Sequence, residues 1–161
     1  MIVVSNTTPL SELAKVGKMH LLQDIFGKVI IPQQVYDEVT TGNHPAVEQV
    51  QSANWLEIRT VFDEQKVVNL QRETGLDLGE SAAIILAEEL NAQRLLIDEW
   101  AGRKVAKARN LPIIGTVGIL LIAKEQKLIP SVKPILDDLI LVGKRISPNL
   151  YQELLNLANE L

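Results

Sequence analysis

The apolar positions of the chain fall into two alternating kinds of stretch. Ile2-Val3-Val4 is a β-branched run without charge, the pattern of a strand buried on both faces. It ends at the polar turn Asn6-Thr7-Thr8, and Pro9 follows with Leu10, Leu13 and Ala14 at helical spacing. Thr8 suits the N-cap of that helix and Pro9 its first position. The same alternation recurs. Val29-Ile30-Ile31, closed by Pro32, predicts a second strand, and Leu56-Glu57-Ile58-Arg59 alternates like an edge strand. Strands are also expected at 94–97 and 112–114. Helices are expected at 19–26, 33–41, 46–52, 62–73, 80–90, 100–109, 116–127, 132–141 and 149–160, with a turn at 42–45. Strands alternating with helices predict an α/β fold of three layers, a parallel sheet of about five strands covered on both faces. No repeat or linker interrupts 1–161, so one domain is expected, with a helical C-terminal extension from residue 131.

Composition narrows the classes. At 161 residues the chain is long enough for one well-buried core. It has no cysteine, which excludes disulfides and thiolate metal sites. No basic leader precedes the first strand, and the longest apolar stretch, 113–123, is too short to span a bilayer. A cytoplasmic protein without membrane contact is expected. With a formal net charge of −4, a nucleic-acid partner would have to be held by a local basic patch or through a metal ion.

Three carboxylates stand where composition alone would not put them. Glu80 shares the inward helical face of Ala83 and Ile84, Glu38 adjoins Val35 and Val39, and Asp98 ends the buried run Leu95-Leu96-Ile97. With Asn6 they fall at strand ends and helix starts, the rim where open α/β sheets bind ligands. Two readings stay open. The oxygens suit a hard divalent cation, which polarises phosphoryl groups and ionises water. Alternatively, Asp77 and Glu80 have the spacing of a capping box and Asp98 caps the next helix. Glu38, late in its helix, is disfavoured by the helix dipole and has the weaker structural explanation. Crowding of carboxylates predicts at least one raised pKa.

Taken together, Val3-Val4-Ser5-Asn6-Thr7-Thr8-Pro9-Leu10, Ile30-Ile31-Pro32 to Glu38-Val39, Leu78-Gly79-Glu80-Ser81-Ala82-Ala83-Ile84 and Leu95-Leu96-Ile97-Asp98 to Arg103 resemble a PIN domain. The resemblance runs over residues 2–127 and is nearest to the small prokaryotic PIN proteins that are toxins of toxin–antitoxin pairs. It implies a ribonuclease that cleaves single-stranded RNA with Mg²⁺ or Mn²⁺. It places the four family acidic positions on Asn6, Glu38, Glu80 and Asp98, with Glu38, Glu80 and Asp98 as metal ligands and Thr8 as the hydroxyl that follows the first. An antitoxin protein is an implied partner. Asn6 departs from the family's aspartate: its amide offers an oxygen but no charge. The alternative is therefore a catalytically weakened PIN-like module that binds RNA or protein.

Other features have two readings each. Arg103, Lys104 and Lys107 form a basic stripe opposite Ala101, Val105 and Ala108, either a grip on an RNA backbone or a solvated face. Glu99 is either a further site carboxylate or a partner of Arg103 one turn on. Gly115-Thr116 is a phosphate cradle or an ordinary cap. Leu150, Leu154, Leu157 and Leu161 stripe the last helix, to pack on the core or to form a homodimer or antitoxin surface.

Overall fold

In the computed structural model, which describes residues 1–44 and 46–161, strand β1 (Val3–Ser5) lies at the centre of a five-stranded sheet. Pro45, the last residue of the expected turn at 42–45, lies outside the described residues. The remaining strands are β2 (Val29–Pro32), β3 (Leu56–Arg59), β4 (Arg94–Leu96) and β5 (Ile113–Ile114). The sheet order is β3-β2-β1-β4-β5 and every pairing is parallel. Val4 stands opposite Ile30 on one side and Leu95 on the other. β3 is an edge strand, as expected, and its last two residues, Ile58 and Arg59, are exposed.

The strand period of two divides the core between the faces of the sheet. Val3, Val29, Ile31 and Leu96 join one apolar cluster; Val4, Ile30, Leu95 and Ile97 join the other. Helices α1 (Thr7–Lys15), α2 (His20–Phe26), α3 (Gln33–Val39) and α4 (Val47–Ser52) contribute to the first cluster. Helices α5 (Glu64–Thr74), α6 (Leu78–Glu89) and α7 (Trp100–Ala108) contribute to the second. Helices α8 (Thr116–Glu125), α9 (Lys133–Leu141) and α10 (Pro148–Leu157) return to the first face. The result is the three-layer α/β fold that the strand–helix alternation predicts. α6 is buried from Gly79 to Ala87, so it is apolar all round rather than striped.

Local corrections concern caps and faces. Thr8 is not the N-cap of α1. Asn6 holds that place in extended conformation, without a side-chain cap bond, and Pro9 becomes the third helical residue. Asp98 does not cap α7; its carboxylate instead takes the N–H of Thr116 at the start of α8. α7 buries Gly102 and Ala106, while Ala101 and Ala108 are exposed. On α10, Leu154 packs inward with Leu155, while Leu150 and Leu157 remain exposed, and Leu161, also exposed, lies beyond the end of the helix. Among the described residues, no helix is long and apolar enough to cross a membrane.

Candidate active site

The carboxyl ends of β1, β2 and β4 deliver the site. β1 ends at Ser5, so Asn6 stands at its tip and its N–H donates to the Leu96 carbonyl of β4 at 2.9 Å. β2 runs directly into α3, which carries Glu38. Asp98 lies two residues beyond β4, and Glu80 lies in the first turn of α6.

Each of the three candidate carboxylates rests against a glycine. A β-carbon on Gly79 would stand 2.6 Å from Glu38 Oε2, 3.6 Å from Thr7 Oγ1 and 3.7 Å from Asn6 Oδ1. One on Gly102 would stand 2.6 Å from Glu80 Oε2, and one on Gly115 would stand 2.6 Å from Asp98 Oδ1 and 2.9 Å from Arg103 Nη1. No ordinary side chain fits at any of the three without moving a carboxylate. Glycine inside a helix costs about 0.5–1 kcal/mol against alanine. At Gly79 and Gly102 that cost is offset by room for an oxygen.

Glu38 and Asn6 thus meet over the start of α6, and the Thr7 hydroxyl donates to Glu38 at 2.9 Å. Glu38 is otherwise exposed, whereas Asn6 and Glu80 are buried. Among the described residues, Asn6 Oδ1 and Glu80 Oε2 are buried without any hydrogen-bond partner. Such a group costs on the order of 1–3 kcal/mol when nothing satisfies it. Only half of the capping box forms: Asp77 accepts from the Glu80 N–H at 2.8 Å, but the Glu80 Oε2 oxygen stays free. Burial, then the nearby charges of Asp77 and Glu99, push Glu80 up to about 7. Glu99 does not pair with Arg103. It accepts from the Thr8 hydroxyl at 3.0 Å, and Arg103 donates to the Ile97 carbonyl at 3.0 Å.

Asp98 sits in a different setting. It accepts from Thr116 N at 2.8 Å and from the Thr116 hydroxyl, and Lys144 Nζ lies 3.7 Å away. The same ammonium holds Glu12 at 2.8 Å. Burial opposes ionisation of Asp98. Hydrogen bonding to Glu12, the Lys144 charge and the Thr116 donors outweigh it and hold the carboxyl below its usual range. Burial, with Asp98 beside it, pushes Glu12 up to about 7.

The donors on offer are all oxygen, which is the set a hard divalent cation takes. Glu38, Glu80 and the unpartnered Asn6 Oδ1 fit such an ion. Asp98 fits it with Lys144 displaced, because the ammonium and Thr116 now occupy its oxygens. Among the described residues, no group of three or more His, Cys, Asp or Glu side chains stands close enough together to hold a metal ion as they are placed. The expected basic stripe is divided: Arg103 turns inward, Lys104 lies 5.1 Å from the Trp100 ring centre, and Lys107 is exposed. Sequence reasoning missed Glu12, Thr7, Lys144 and Trp100. Trp100, next in the chain after Glu99, is 75% exposed. The three helix and helix-start glycines were the signal available, since each marks a close approach.

Residues 2–160 match the model of a family described as PIN domain. Among curated proteins, none matches the chain.

Proposed function

Because the chain belongs to the PIN-domain family, a nuclease-type fold, we propose that it is a metal-dependent ribonuclease that cleaves single-stranded RNA. The observation that carries this reading is the pair of buried, unpartnered oxygens, Asn6 Oδ1 and Glu80 Oε2, at the strand ends where Glu38 and Asp98 also lie. A buried oxygen without a donor calls for a water or an ion to satisfy it. Among the described residues Gln34 Oε1 and Ser81 Oγ are unpartnered as well, but Asn6 and Glu80 are the two at the acidic positions. Mg²⁺ or Mn²⁺ bound there supplies Lewis acidity at a phosphoryl oxygen and an ionised water. Glu38, Glu80 and Asp98 are the residues to hold it, with Asn6 offering its amide oxygen.

The chain's own groups do the rest. Thr7 fixes the Glu38 carboxylate, and Thr8 fixes that of Glu99 at the rim. Near neutral pH Glu80 holds its proton part of the time, at the buried end of the site. Lys104 and Lys107 face solvent for an RNA backbone, and Trp100 offers a base a flat surface. The reading extends to a cytoplasmic toxin-type protein of one domain, partnered by an antitoxin. It also extends to a homodimer through the exposed Leu157 and Leu161, which light scattering at tens of micromolar checks.

Two observations favour the second reading, a weakened module that binds RNA or protein. Asn6 carries no charge, and Lys144 already neutralises Asp98. Calorimetry with Mn²⁺, alongside cleavage of a mixed-sequence RNA, decides between them. Asn6→Asp is expected to raise affinity and cleavage by about tenfold or more, and Asp98→Asn in that background to abolish the gain. An Asn6→Asp variant that gains neither leaves the binding module as the better account.

A further inference from the structure

The segment between α9 and α10 closes a cavity of about 480 Å³ against β5 and α8. Asp98 and Lys144 line it, so it borders the candidate site at Asp98. We propose that this cavity is a nucleotide subsite, which seats one base of the RNA strand beside the cleaved position and takes its phosphate on Arg103 and Arg145. The inference rests on the ribonuclease reading for the identity of the strand.

Four features point to a nucleotide. The walls are aliphatic and half-exposed: Ile114, Val117 and Ile146 are neither buried nor free, and Leu150 is 40% exposed. Three cations, Arg103, Lys144 and Arg145, line the same cavity with one anion, Asp98, in a chain of net charge −4. Lys144 is held by Glu12, and Arg103 donates one of its N–H groups to the Ile97 carbonyl. Arg145 is exposed and has no ion-pair partner among the described residues. The floor is set by close packing, since a β-carbon on Gly118 would stand 2.8 Å from Ile114 Cγ1. An apolar slot with an anion grip at its edge matches a base joined to a phosphate. An amphipathic helix from a protein partner would need an apolar stripe several turns long, whereas this volume is that of a small-ligand pocket.

The test is fluorescence anisotropy with a labelled five-nucleotide RNA in EDTA, so that binding is read without cleavage. One base at a time is replaced by an abasic residue. Arg145→Glu and Leu150→Glu are both at exposed positions, and circular dichroism checks that they fold. Each is expected to weaken the parent RNA at least about threefold, below the aromatic stacking range because the walls are aliphatic. Removing the base at one position is expected to cost a similar factor in the unaltered protein and nothing further in Leu150→Glu. Unchanged affinity in both variants overturns the subsite, and so does an abasic penalty that persists in Leu150→Glu. Unchanged RNA affinity is also the outcome for a groove that serves a protein partner. Cleavage of the same RNA in Mn²⁺ is scored separately. Cleavage with unaltered affinity in the variants removes the subsite and keeps the ribonuclease. Variant-sensitive binding without cleavage does the reverse.

Discussion

Lys144 Nζ lies 2.8 Å from Glu12 Oε2, joining two residues 132 positions apart in the chain. Both side chains are largely buried, at 16% and 15% exposed, and Asp98 lies 3.7 Å from the same ammonium. Removing the cation leaves two carboxylates facing each other. Lys144→Met is therefore expected to destabilise the fold by roughly 1–3 kcal/mol, read from the urea midpoint. The same variant frees Asp98 and is expected to bind Mn²⁺ more tightly by calorimetry. A midpoint and an affinity both equal to the parent's would refute this role.

Gly102→Ala tests whether the glycine makes room for Glu80. Its β-carbon would meet Glu80 Oε2 at 2.6 Å and Ile97 Cδ1 at 2.8 Å. A loss of about 1–3 kcal/mol is expected from overpacking, together with weaker Mn²⁺ binding. Shortening Glu80 to alanine in the same background relieves part of the clash, so the two changes should not add. Additive losses would show that Glu80 does not depend on Gly102.

Stability should fall as pH rises through neutrality when no metal is bound. Glu80 is raised from 4.5 to about 7 in the folded state by burial and by Asp77 and Glu99. A group that holds its proton more tightly when folded stabilises the fold fully below its unfolded pKa. That contribution disappears as pH passes the folded value, so the window is about 4.5 to 7. The size is on the order of 3 kcal/mol at most. Glu12, raised to about 7 as well, acts in the same window. Melting in EDTA at pH 5 and pH 7.5 should show the decline. Glu80→Gln should reduce it without removing the Glu12 share, and Mn²⁺ should reverse it at the higher pH. A melting temperature flat across this range would contradict the burial of an unpartnered carboxyl.

Trp100 is expected to matter for RNA and not for folding. At 75% exposure it contributes little to the core. Trp100→Ala should leave the urea midpoint within about 0.5 kcal/mol. A base stacked on the ring is worth about 1–3 kcal/mol, so RNA affinity should drop about fivefold or more. Equal RNA binding by the variant would assign the exposed ring to some other surface.

The central strands were legible because each is built on a short β-branched or aliphatic run, and burial on both faces allows little else; the edge strand β3 was legible from its alternation instead. Val3-Val4, Val29-Ile30-Ile31 and Leu95-Leu96-Ile97 all lie where their composition puts them. Asn6, Glu38, Glu80 and Asp98 could be picked out as polar groups at the ends of such runs. Helix starts were harder, since Asn6, Thr7 and Thr8 are all acceptable caps and only tertiary contacts choose among them. The Thr7 hydroxyl is drawn to Glu38, and Thr8 to Glu99, which leaves Asn6 at the cap. Glu12 and Lys144 could not be seen at all. Each reads as an ordinary charge on its own segment, and the pairing exists only because α1 and the segment before α10 pack on one face of the sheet.

The order of the strands also bears on how the chain is made. β1 emerges first and can pair with β2 early, with β3 adding to β2, but its other neighbour, β4, lies some ninety residues later. Asp98 follows β4, and Lys144 comes later still. A chain still on the ribosome therefore carries Asn6 and Glu38 long before it has the second half of the site. All four residues of the site are present only once Asp98 has been made, and the lysine that neutralises Asp98 follows it.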